Sequence, residues 1–207
     1  IGYFGLFDFG LGRALTRMVA ARWAGRADAD VNSLCSTAAA LGGAAGLAGG
    51  LLVAAVALFG DRWFDHWSPA LMDEARRALV IVGLGVLPTV LTAVLRGILE
   101  GVQRFKVLNA IRVPAGVLLF AAPCVSAGFT PRLDVAVATL VATRWLVLLV
   151  LALACRSSVR LSFAAAAKAW VAPLFAFGGW LTVSNVGGPV IVYLDRFIIG
   201  ALLPPQQ

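Results

Sequence analysis

Long uncharged apolar runs alternate with short charged connections along this chain. Residues 31–60 carry no charge, nor do Ala78–Leu95, Val113–Pro131 and Ala169–Leu194, and Val135–Cys155 is broken only by Arg144. A helix needs about 20 apolar residues to cross the hydrocarbon of a bilayer, and in lipid the backbone groups must be satisfied within the segment or in a closed barrel. The runs lack the strict apolar/polar alternation of barrel strands. The pattern therefore predicts an all-α fold, a single polytopic transmembrane helical bundle over 1–207. Residues 1–21 form a partial span, and full spans lie at about 36–60, 78–98, 112–130, 134–155 and 170–194, with Phe197–Leu203 as an apolar continuation.

Composition agrees with that pattern. Hydrophobic residues make up 61% of the chain, charged residues 13%, and the mean hydropathy is +0.93; a water-soluble domain is closer to half apolar and a quarter charged. The net charge of +7 does not point to nucleic acid, because the basic residues sit in the connections between spans, where they set topology and meet anionic lipid. One set of connections carries Arg17, Arg22, Arg26, Arg96, Arg104, Lys106, Arg112, Arg156, Arg160 and Lys168, and the opposite set only Arg62, Arg76, Arg77 and Arg132. By the positive-inside rule the first set is cytoplasmic. In the opposite connection, Trp63, Phe64 and Trp67 lie among acids and fit an interfacial aromatic belt. The chain opens at Ile1 inside an apolar segment and closes at Pro204-Pro205-Gln206-Gln207, which reads as a fragment of a longer protein.

Small residues and prolines shape the spans. Gly42, Gly46 and Gly50 recur every fourth residue and put three bare backbone patches on one helix face, the pattern of close interhelical packing. Pro88, Pro114, Pro123, Pro173 and Pro189 fall within or at the ends of spans. Together with Gly178-Gly179 and Gly187-Gly188 they mark places to kink or break a helix, as in transporters whose interrupted helices line a cavity.

Charges within the spans carry the sharper chemistry. Arg144 has nine uncharged residues before it and eleven after it, so its head cannot readily snorkel to either surface; burying an Arg at a helix centre costs about 2.5–3.5 kcal/mol on insertion scales. Two readings stand: a guanidinium that holds an anionic group such as a phosphate through forked hydrogen bonds, or a structural pair with a carboxylate such as Asp8 or Asp195. In Gly5–Arg17, Asp8, Arg13 and Arg17 follow at spacings of five and four, so the two arginines share a face, and Gly10 and Gly12 allow a bend. Asp8 either binds a coupling proton or cation or partners Arg13 or Arg144. Asp195-Arg196 interrupts an apolar stretch, and each residue faces a different neighbour. Glu100, four residues from both Arg96 and Arg104, supports an exposed or interfacial helix. Cys35, Cys124 and Cys155 lack metal-ligand spacing and read as small packing residues. His66, the single histidine, reads as a surface residue. No cofactor, metal, nucleotide or covalent-catalysis site emerges, and the chain does not read as an enzyme.

Three segments carry a family resemblance: Gly5–Arg17 (GLFDFGLGRALTR), Leu95–Phe105 (LRGILEGVQRF) and Leu194–Leu203 (LDRFIIGALL). In order and spacing they resemble the polysaccharide/oligosaccharide (O-antigen type) flippase family, within the superfamily of multidrug, oligosaccharidyl-lipid and polysaccharide exporters. The resemblance implies the N-terminal half of a transporter of two pseudo-symmetric bundles around a cationic cavity. It implies translocation of a lipid-linked oligosaccharide across the cytoplasmic (inner) membrane by alternating access, for polysaccharide biosynthesis or export. The partners so implied are a polyprenyl-pyrophosphate-linked glycan, membrane lipids and polysaccharide assembly enzymes. Arg13, Arg17 and Arg144 are then candidates for the anionic head group, and Asp8 and Asp195 for coupling or gating.

Two other functions share parts of this pattern. A multidrug or metabolite exporter of the same superfamily has the same architecture, but a cationic drug favours an acidic cavity, and here the mid-span charge is an arginine. A membrane-embedded glycosyltransferase or polymerase needs a catalytic acid or metal site. The acids outside the spans (Asp28 and Asp30, Asp61 and Asp65, Asp73 and Glu74) show no catalytic spacing, and Asp73 and Glu74 beside Arg76 and Arg77 read as a solvated helix start.

Overall fold

The computed structural model describes residues 10–23, 25, 28–59, 69–130, 132–162, 166–176 and 178–179. Among the described residues the long helices are α1 (Leu11–Trp23), α2 (Asp28–Phe59), α3 (Pro69–Gly101), α4 (Phe105–Phe129) and α5 (Leu133–Arg156), followed by a short 3-10 turn at Lys168–Trp170. No strand occurs among the described residues. Among the described residues, four stretches are long and apolar enough to cross a membrane: Ala29–Phe59, Met72–Gly101, Phe105–Phe129 and Leu133–Arg156. The protein is an all-α polytopic membrane bundle. Residues 1–9 of the expected first span, and residues 180–194 of the last, lie outside the described residues.

Helix α3 is the centre of the bundle, packed against α1, α2, α5 and, lightly, α4. It can be central because glycine lines several of its faces. On α2, a Cβ at Gly42 would come within 2.9 Å of Val94 Cγ2, one at Gly46 within 2.9 Å of Leu87 Cα, and one at Gly50 within 2.7 Å of the Gly83 carbonyl. The stripe expected to pack is the α2–α3 seam, and Gly83 completes it from the other side, where a Cβ would meet the Gly50 carbonyl at 2.8 Å. With no side chain between them the backbones approach closely, which matters in lipid, where the hydrophobic effect does not drive helices together. On another face Gly97 abuts Gly12, and Gly101 abuts Val19, so α1 lies against the second half of α3. Gly10 makes the turn before α1 at φ 65, a left-handed conformation open to glycine. Gly12, one of the two glycines expected to allow a bend, is instead helical and seats α1 on the Ala93 carbonyl.

Matching contacts fix the directions. Gly12 meets Ala93 and Thr16 meets Glu100, while Gly85 meets Val141 and Cys155 meets Leu95, so α1, α3 and α5 run parallel. Helix α2 is antiparallel to α3. The ends of α1, α3 and α5 and the start of α2 therefore share the end of the bundle that holds most of the basic residues. There the core is densest, with Leu11, Leu15 and Val19 of α1, Leu34 and Cys35 of α2, Ile98 and Leu99 of α3, and Leu151 and Cys155 of α5 all buried. Two of the three cysteines are thus core residues, whereas Cys124 on α4 is exposed. Helix α4 buries only Leu108 and Ala115 and leaves Val113, Val117, Phe120, Val125 and Phe129 outward.

The opposite end is tied by charge, and the acids and arginines there do more than solvate a helix start. Arg76 donates to the Ala57 and Leu58 carbonyls at the end of α2, at 3.1 and 2.7 Å. Glu74 accepts the Leu133 N–H at 2.6 Å and so caps α5 from α3. Arg132 holds Asp134 at 2.8 Å, with Arg77 at 3.9 Å. Trp63, Phe64, His66 and Trp67 lie outside the described residues.

Candidate functional site

Val141, Arg144, Leu148, Leu151 and Cys155 follow at spacings of three and four, which places them along one face of α5. That face meets α3. A Cβ on Gly85 would lie 2.9 Å from Val141 Cγ2, and Cys155 Sγ donates to the Leu95 carbonyl at 3.5 Å. Arg144 therefore sits in the α3–α5 seam, partly buried, as expected of a mid-span charge that cannot face lipid. Its Nη1 donates to Thr89 Oγ1. The Thr89 hydroxyl in turn donates to the Gly85 carbonyl at 2.6 Å, one turn back along α3.

The position of that contact is informative because Thr89 follows Pro88, the proline inside α3. Proline has no N–H, so the bond that would run back to the Leu84 carbonyl is missing. The seam thus brings a guanidinium beside the one turn of α3 whose backbone ladder is interrupted. Interrupted helices within a bundle are tolerated where neighbouring groups re-satisfy the backbone or line a cavity.

Thr89, Arg96 and Glu100 fall on one stripe of α3, at spacings of seven and four. Glu100 is partly buried and accepts from Thr16 of α1 at 3.3 Å, so it fastens α1 to α3 and is not simply an interfacial acid. Arg13 and Arg17 flank Thr16 and are exposed. The Arg96 Nε is buried with no hydrogen-bond partner among the described residues. The stripe therefore leads from Thr89, which Arg144 contacts, past Arg96 to the α1 turn that carries Arg13 and Arg17. Asp8 and Asp195 lie outside the described residues.

Sequence reasoning missed Thr89 and Arg96. Arg96 counts as a connection charge by distance from the apolar run, yet α3 continues to Gly101 and carries it inside. Its spacings of seven from Thr89 and four from Glu100 were the available signal. A hydroxyl beside a membrane proline carries little signal by itself, since its partner lies 55 residues away.

The polysaccharide biosynthesis protein family matches residues 4–207 of the chain. The chain belongs to that family. It is also 26% identical, over 205 residues, to a curated Shigella flexneri protein named "Putative O-antigen transporter". That alignment covers 98% of this chain and 48% of the relative, so the chain spans about half the relative's length. No solved structure matches the chain closely enough to count as similar.

Proposed function

We propose that the protein translocates a lipid-linked oligosaccharide from the cytoplasmic to the outer leaflet of the inner membrane by alternating access, in polysaccharide biosynthesis or export. The observation that carries the reading is Arg144, a mid-span guanidinium on the α3–α5 seam beside the Pro88 interruption. A polyprenyl-pyrophosphate head brings negative charge into a region where charge is expensive, and arginine meets phosphate oxygens through a planar fork that lysine lacks. Arg13, Arg17 and Arg96 extend the basic character along the adjoining stripe toward the basic end. In this reading an anionic head enters there, exchanges water for guanidinium contacts and moves past Arg144. The family match and the name of the Shigella flexneri relative support transport of a polysaccharide precursor. Asp8 and Asp195 remain the candidates for coupling or gating, and the partners are the lipid-linked glycan, the surrounding lipids and polysaccharide assembly enzymes.

The test is translocation in reconstituted vesicles, read by enzymatic access to the glycan on the far leaflet, with Arg144→Lys and Arg144→Gln compared. Lysine keeps the charge and loses the fork, so both variants lower the rate, by at least tenfold for glutamine. Full activity in both variants overturns the role of Arg144. Faster efflux of cationic drugs, with no glycan movement by the parent protein, favours a drug exporter.

A further inference from the structure

A second polar feature lies about 18 Å along α5 from Arg144, estimated from 1.5 Å per residue over the intervening turns. At the basic end, a cleft of about 340 Å³ opens between the end of α1, the start of α2 and the segment after α5. Trp23, Val31, Asn32 and the run from Arg156 to Arg160 line it. Val31 and Val159 are buried and give it an apolar floor. Arg156 and Arg160 are exposed at its rim, and Trp23 is 38% exposed. The Ser158 Oγ is buried there with no hydrogen-bond partner among the described residues.

The cleft is held open by the chain around it. The Arg160 N–H donates to Asn32 Oδ1 at 2.9 Å, and Ser162 N–H donates to Ser36 Oγ at 3.1 Å. Ala167 N–H donates to Thr37 Oγ1 at 3.0 Å, and Trp170 Nε1 to Ser33 Oγ at 3.2 Å. Arg22 stacks over the Trp170 ring, 4.5 Å from its centroid. Arg104 Nη1 donates to Ser157 Oγ at 2.7 Å, which brings a further cation to the segment. The polar side chains on the first turns of α2 are thus occupied in fixing the segment after α5, from Arg160 onward. No ion pair among the described residues involves either arginine; the pairs found there belong to Asp134 at the other end.

We propose that this cleft binds the phosphodiester headgroup of an anionic membrane lipid. Two arginines supply the charge, the Ser158 hydroxyl supplies a donor that now lacks an acceptor, and Trp23 supplies the amphipathic ring that favours headgroup depth. Basic recesses between membrane helices on the side richer in Lys and Arg recognise such headgroups, and the volume falls in the range of small-molecule sites. The proposal goes beyond the transport reading, because it concerns a lipid of the bulk bilayer and not the transported glycan.

The test uses native mass spectrometry of the purified protein in detergent with phosphatidylglycerol or phosphatidylcholine added. The parent protein retains phosphatidylglycerol preferentially. Arg156→Gln with Arg160→Gln lowers that retention about 30-fold, from the usual contribution of two basic residues at an anionic surface. Arg156→Lys with Arg160→Lys keeps most of it. Millimolar inorganic phosphate does not displace the lipid. Equal retention of both lipids by the parent, or unchanged retention in the glutamine pair, overturns the proposal. Displacement by inorganic phosphate also overturns it and marks a free-anion site. The parent protein's lipid preference is decisive by itself, so misfolding of the glutamine pair does not shelter the idea. Failure here with intact glycan translocation leaves the transport reading standing.

Discussion

Alanine at Gly50 and alanine at Gly43 are the same chemical change on the same helix, and the structure gives them opposite outcomes. Among the described residues, a Cβ on Gly43 meets nothing within 4 Å. One on Gly50 lands 2.7 Å from the Gly83 carbonyl, which is backbone and cannot swing aside as a side chain can. To restore ordinary contact, α2 and α3 must part by roughly 0.7 Å at that level, and a gap of about that size forfeits a quarter to a half of each pairwise attraction across it. The Gly46–Leu87 and Gly42–Val94 contacts along the same seam loosen with it. Overpacking of this kind costs about 1–3 kcal/mol. Alanine also favours the helix over glycine by about 1 kcal/mol, but that gain is common to both variants. Gly43→Ala is thus neutral or stabilising, and Gly50→Ala lies about 1–3 kcal/mol below it. Reversible unfolding in mixed micelles measures the difference. Equal midpoints for the two variants would refute the α2–α3 seam as described, whatever their common shift from the parent.

Other consequences are local. Thr37→Val removes the acceptor of the Ala167 N–H and leaves a part-buried donor unpaired, a loss of about 1–3 kcal/mol; hydrogen exchange at Ala167 rises, and unchanged protection contradicts the contact. Glu74→Ala uncaps α5 and lowers stability by about 0.5–2 kcal/mol, whereas Glu74→Gln keeps an acceptor for the Leu133 N–H and loses less. Asp134→Asn disrupts the pairing with exposed Arg132, and because solvent screens a surface pair it has the smallest effect of the set. Among the two Glu74 variants and Asp134→Asn, thermal unfolding should place Glu74→Ala lowest.

The membrane helices were legible as helices because lipid leaves the backbone few options, but an uncharged run near 20 residues does not fix their ends: α2 starts at Asp28 and α3 at Pro69, ahead of the expected 36 and 78, on polar turns outside the apolar runs. The glycine stripe of α2 was legible as a packing face by its spacing, but its partner was not: nothing local to Gly50 names Gly83. The same limit governs Arg144. Its cost in the middle of a span showed that it must face protein or water, while the choice of Thr89 depends on how α5 crosses α3. The first turns of α2 were the least legible part. Asn32, Ser33, Ser36 and Thr37 precede or begin an apolar run and resemble a solvated entry. They are instead engaged by backbone and side-chain donors 126 to 137 residues later, and Thr37 is only 3% exposed. Glycine and proline positions were readable as sites of special geometry, yet Gly12 shows that the geometry can be close approach where a bend was expected.

The most direct test of the transport account is mass spectrometry of lipid-linked glycans from cells lacking the gene, with the gene restored as control. The account predicts that a complete polyprenyl-linked unit accumulates and that restoration clears it. An unchanged lipid profile in the deletion would contradict it.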